Sequence, residues 1–103
     1  VEGRAVRAGQ YIEVEVMRGC LVTWQPAKVV SAVRSHLGDF ETCINGDIYF
    51  REWYTSADEG IEWRRPADGS HCRAAYEQSL EALIEKKEAR IGRWLDGTQV
   101  GLG

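Results

Sequence analysis

Gly9-Gln10-Tyr11-Ile12-Glu13-Val14-Glu15-Val16 and, after a turn, Thr23-Trp24-Gln25-Pro26-Ala27-Lys28-Val29-Val30 decide how this chain is read. In the first stretch Ile12, Val14 and Val16 alternate with Glu13 and Glu15. That period of two puts the apolar side chains on one face of a strand and the acids on the other. Arg18-Gly19-Cys20 turns the chain into a second β-rich run, from Val22 to Val33. Pro26 inside that run cannot donate to a ladder, which restricts it to a strand start, an edge or a bulge.

The same punctuation continues downstream. Ser35 to Asp39 reads as a turn pivoting on Gly38, and Phe40 to Ile44 as a short strand. Asn45-Gly46 is a strong hairpin signal, because both residues tolerate the positive φ of a type I′ turn. Asp47 to Thr55 follows as an aromatic-rich strand, Ser56 to Gly60 as a polar loop, and Ile61-Glu62-Trp63 as a last strand before Arg64-Arg65-Pro66. Short strands with turns about every ten residues predict a small, highly bent five-stranded barrel over 10–66.

After Pro66 the period changes. Tyr76, Leu80, Leu83, Ile84, Ile91, Trp94 and Leu95 recur at spacings of three and four, the stripe of an amphipathic helix. The spacing predicts a helix over 70–96, from about His71 to Leu95, with Ser70 as N-cap and Gly97 after its end. Glu77, Glu81 and Glu85 lie in its first half and Lys86, Lys87, Arg90 and Arg93 in its second, which suits the helix dipole. Tyr76 to Ile84 are expected to pack on the barrel. Ile91, Trp94 and Leu95 reach past it and are candidates for contact with a partner. The prediction is one mainly-β domain over 1–103, a five-stranded barrel with one long helix on it. Residues 1–8 and 98–103 read as mobile tails.

The composition limits the function. The 103 residues are 44% hydrophobic and 28% charged, which is foldable and globular rather than disordered. No apolar run approaches the roughly 18 residues of a membrane span, so no membrane partner is expected. No signal-peptide pattern opens the chain, and Val1 in place of Met suggests a piece of a longer protein. Thirteen basic residues against sixteen acidic ones leave a net charge of −3, unfavourable for wholesale phosphate binding. Arg4, Arg7, Arg64 and Arg65 form at most a weak DNA-contacting patch. Cys20, Cys43 and Cys72 are odd in number and widely spaced, so they read as structural thiols of a reducing compartment. His71-Cys72 is the one close pair of metal-ligating types, so no metal site is expected. Phosphate-loop, dinucleotide, nucleophile-elbow and zinc-protease motifs are absent from the sequence, and the chain reads as non-catalytic and without a cofactor.

The two opening stretches resemble the start of plant Agenet domains, and more broadly the Tudor-like barrels of the Royal superfamily. Those domains begin with a G-x-x-V-E-V strand and continue with W-x-P-A-K-V. Ile61-Glu62-Trp63-Arg64-Arg65-Pro66 is similar to their closing I-R-P element. PWWP domains resemble the chain in the same place, through Thr23-Trp24-Gln25-Pro26-Ala27, and also carry helices after the barrel. The resemblance covers Gly9 to Pro66 and implies a Tudor/Agenet-like, SH3-like barrel acting as a nuclear, chromatin-associated reader without catalysis.

What the resemblance implies at the site is a cage of aromatic faces around methylated lysine, held by cation–π attraction. The position before the proline, commonly aromatic in those families, is Gln25 here, with Trp24 beside it on the other strand face. Trp53 and Tyr54 match the place of a second wall, and Asp58 and Glu59 offer negative charge to a basic peptide. These six residues are the candidate site for a histone tail or other basic peptide, methylated or not. The alternatives are a degenerate barrel that assembles with another protein or a second copy through barrel and helix, and PWWP-like contact with nucleosomal DNA.

Overall fold

A computed structural model describes the backbone of residues 5–102 and the side chains of residues 5–92. Five antiparallel strands, β1 (Tyr11–Arg18), β2 (Leu21–Ser31), β3 (Phe40–Ile44), β4 (Arg51–Tyr54) and β5 (Trp63–Arg64), form one sheet in the order β4-β3-β2-β1-β5. The sheet curls into a half-barrel, and a single helix, α1 (Gly69–Leu102), follows it. The expected architecture of a small mainly-β barrel with a C-terminal helix is therefore present. Among the described residues no helix is long and apolar enough to cross a membrane.

The alternation of β1 sets the inner face. Ile12, Val14 and Val16 point inward, opposite Ala27, Gln25 and Thr23 of β2 in the register of the pair. Val29, Phe40, Ile44, Tyr54 and Trp63 complete the core, with Val6 added from ahead of β1. Val6 lies in a segment expected to be a tail, and its burial ties part of that segment down. Phe40 stands edge-on to Trp63 at 5.1 Å, and the Trp63 indole N–H donates to the Thr55 carbonyl at 2.8 Å. Trp63 is fully buried, so its one polar group had to find a partner.

Local rules explain most element ends. Pro26 sits one residue beyond the β2–β3 ladder, which begins at Ala27 opposite Ile44. Its missing N–H therefore costs nothing on that side, and its carbonyl accepts the Asn45 N–H at 2.9 Å. Asn45 (φ 56°) and Gly46 (φ 76°) form the expected type I′ turn, closed by the Asp47 N–H on the Ile44 carbonyl. The strand does not resume at Asp47, however. A second turn, Phe50 N–H to the Asp47 carbonyl, delays β4 until Arg51, so Tyr49 and Phe50 belong to the loop. The last strand is likewise shorter than expected, since Ile61 and Glu62 remain in the preceding turn.

The helix docks on the outer face. Asp68 caps it, its Oδ1 accepting from the N–H groups of Ser70 (3.0 Å) and His71 (3.3 Å). Ser70 was the expected cap and lies inside the helix, while the expected end at Gly97 is passed by a helix that runs to Leu102. Cys72 and Tyr76 are buried and Leu80 and Leu83 half-buried, forming the packed stripe. Tyr76 meets the Tyr11 ring edge-on at 5.3 Å, and the Cys72 thiol lies 3.4 Å from the Ile12 carbonyl. Ile84, expected in this stripe, is 46% exposed, because it lies a further 100° or so around the helix from Leu83. Ile91 is also exposed, and the side chains of Trp94 and Leu95 lie outside the described residues. Cys43 and Cys72 are buried, whereas Cys20 is exposed at the β1–β2 turn rather than structural.

Candidate functional site

The six candidate residues do not converge. Trp53 and Tyr54 are successive residues of β4, so they point to opposite faces. Tyr54 is in the core, while Trp53 is half-buried on the outer face opposite Glu41. Trp24 is also on an outer face, with the Arg64 guanidinium 4.2 Å from its ring centre. Asp58 accepts the Thr55 hydroxyl at 2.7 Å, and Glu59 pairs with Arg65 at 3.1 Å. Both acids hold the turn before β5. Of the four arginines offered for DNA contact, Arg65 is engaged by its pair with Glu59 and Arg64 pairs with Glu13 at 2.8 Å, while Arg7 is exposed and Arg4 lies outside the described residues.

The half-barrel is open along one side. β5 pairs with β1 only at Glu13 and Val14, and the Glu15 N–H still donates to the Glu62 carbonyl at 2.9 Å, so β1 is open on that flank only beyond Glu15. β4 has β3 as its one strand neighbour. The seam between these two edges holds a cavity of about 210 Å³. Val16, Met17 and Ile44 give it apolar walls, Phe50 and Tyr54 give it aromatic ones, and Glu15 and Glu52 add carboxylates.

Tyr54 reports the electrostatics of this seam. Burial, followed by the charges of Glu52, Glu62 and Glu15, pushes its phenol up to about 12. Three carboxylates thus bear on one buried hydroxyl, and the potential there is negative.

Of the predicted residues, Tyr54 lines this seam and Gln25 lines a neighbouring cavity across Phe50. Glu15, Glu52, Phe50 and Met17 were missed. One signal for Glu52 was available: it stands two residues before Tyr54 on the same strand and therefore shares its face. Among the described residues no group of three His, Cys, Asp or Glu side chains is placed to hold a metal ion. Compared with known proteins, the chain matches no family model, no curated protein and no solved structure.

Proposed function

We propose that this chain is a non-catalytic, nuclear, chromatin-associated interaction module that takes a cationic side chain of a histone tail, or of another basic peptide, into the seam. The observation that carries this reading is the pairing of Phe50 and Tyr54 with Glu15 and Glu52 around one open cavity. Aromatic faces attract an ammonium group, methylated or not, and the carboxylates of Glu15 and Glu52 supply opposite charge at the rim. The strand edges flanking the seam suit an extended peptide, which can add main-chain hydrogen bonds to a free edge. The resemblance of the first two strands and the closing Ile61–Pro66 segment to Tudor and Agenet barrels supports the same reading.

The test is calorimetric titration with a short lysine-rich peptide, unmodified and trimethylated. Glu52→Gln is expected to weaken binding by roughly tenfold, the worth of one charge-assisted contact. Trp53→Ala, on the other face, should leave affinity within about twofold of the parent. Unchanged affinity in the folded Glu52→Gln protein would remove the seam as the site.

A second reading is assembly through the helix. It rests on Ile84 and Ile91, which are seven residues apart on one face of α1 and both exposed.

A further inference from the structure

The seam has a neighbour of opposite character. On the other side of Phe50, between the β3–β4 loop and α1, lies a cavity of about 390 Å³, within the usual size of small-ligand sites. Phe50 and Leu83 supply its apolar surface, and Arg18 and Lys86 line it as cations. Neither of these two is ion-paired among the described residues. The amides of Asn45 and Gln25 form its polar wall. Asn45 Nδ2 donates to Gln25 Oε1 at 3.2 Å, and Gln25 Nε2 donates to the Thr23 hydroxyl at 3.0 Å.

Each amide nitrogen carries two hydrogens, so each keeps one N–H beyond that chain. Asn45 Oδ1 is buried and has no hydrogen-bond partner. A buried acceptor left unpaired is costly, and native proteins leave few of them. The carboxylate of Asp47, also in the lining, already accepts the Tyr49 N–H at 3.0 Å. The wall therefore offers two free cations and spare amide donors, plus one acceptor in want of an N–H.

We propose that this cavity binds a peptide carboxylate carried beside an N–H donor, with the carboxylate on Arg18 and Lys86. The N–H is met by Asn45 Oδ1: a turn about the soft terminal torsion of the asparagine gives up the Nδ2–Gln25 Oε1 hydrogen bond and brings Oδ1 to the cavity, where the ligand N–H takes the place of that bond. The adjoining side chain rests on Phe50 and Leu83. This site involves neither Glu15 nor Glu52, so it stands or falls separately from the cation seam. A partner bearing a basic residue close to a carboxylate would span both, with Phe50 between.

The experiment is a nuclear magnetic resonance titration of the isotope-labelled chain, following the side-chain amide signals of Asn45 and Gln25 and the Gly46 N–H. The probes are N-acetyl-glycyl-leucine, its C-terminal amide, N-acetyl-aspartyl amide and inorganic phosphate. The free acid is expected to move all three signals and its amide none. Arg18→Gln with Lys86→Gln should weaken the acid by about tenfold or more, two exposed substitutions whose folding circular dichroism checks. Glu52→Gln should leave its affinity unchanged. Binding of the aspartyl amide as well would extend the site to side-chain carboxylates with the same chemistry. Equal shifts from acid and amide, or phosphate binding as tightly as the acid, would overturn the assignment.

Discussion

Tyr54 carries two demands on one side chain: its ring closes the core against Phe40, with ring centres 6.2 Å apart, and its hydroxyl faces the carboxylates of the seam. The neutral phenol is the form the fold prefers, since burial and those charges raise its pKa from 10.0 to about 12. The consequence for stability has a definite sign. The contribution is complete below pH 10, where the unfolded tyrosine is also protonated, and is lost as pH rises toward 12. With one unit worth about 1.4 kcal/mol, the loss is about 2–3 kcal/mol. Tyr54→Phe should therefore flatten this part of the fall in stability, read by urea unfolding at stepped alkaline pH. An unchanged slope would show that the hydroxyl does not sense the seam. The alternation of β4 was legible in the sequence, but which of Trp53 and Tyr54 faced inward was not. That choice depends on where β4 begins, and the extra turn after Asp47 sets it. Glu52 shares the face of Tyr54, a signal that the sequence carried only once Tyr54 was known to point inward. A charged residue on an apolar face is normally excluded, and only the unclosed edge of the half-barrel lets it stay in water.

At the scale of elements, the β3–β4 turn also seats the helix. A Cβ on Gly46 would lie 2.7 Å from the Cβ of Leu80 and 3.0 Å from its Cα, so the turn and α1 touch backbone to backbone. Gly60 has a similar positive φ, +88°, with open space around it. Gly46→Ala and Gly60→Ala thus share the cost of a left-handed backbone, about 1–2 kcal/mol. Only the first also forces the helix away, which adds about 1–3 kcal/mol of overpacking. Urea midpoints should separate the two variants by that amount, and equal midpoints would mean that the helix gives way freely. The turn type was readable from Asn45-Gly46 alone. Its role as a seat was not, because nothing local links Gly46 to Leu80. The helix start shows a finer limit. Asp68 and Ser70 are both good caps by chemistry, and the backbone chose the earlier one.

For the whole molecule, the half-barrel and helix complete one another. A sheet of this size alone is near the lower limit of independent stability, and Cys72 and Tyr76 cover its outer face. The helix has 34 residues, roughly 50 Å at the standard rise, and the molecule is 66 Å long against 29 and 27 Å across. Its first turns are therefore structural and its later ones project. Cutting the chain after Pro66 should leave it unfolded, while cutting after Glu88 should keep the melting temperature within a few degrees of the parent. A residue 1–66 fragment that melts cooperatively near the parent temperature would refute the composite domain. Composition and periodicity revealed this division into halves, because a change of period from two to three and four marks a change of element. They could not reveal that the sheet stays open, since closure depends on the length of β5, here only Trp63 and Arg64.

The placement of the thiols gives the docked helix a clock. Cys20 stands in the open at a hairpin tip, whereas Cys43 and Cys72 are buried, the latter within the helix–sheet contact. Burial and the charge of Glu13 push the Cys72 thiol up, suppressing the thiolate that reacts. An alkylating reagent meets Cys20 at the rate of encounter, and Cys43 and Cys72, both buried beneath α1, only when the helix lifts from the sheet. The slow phase of that reaction measures how often the two halves part, in a chain that needs no added label.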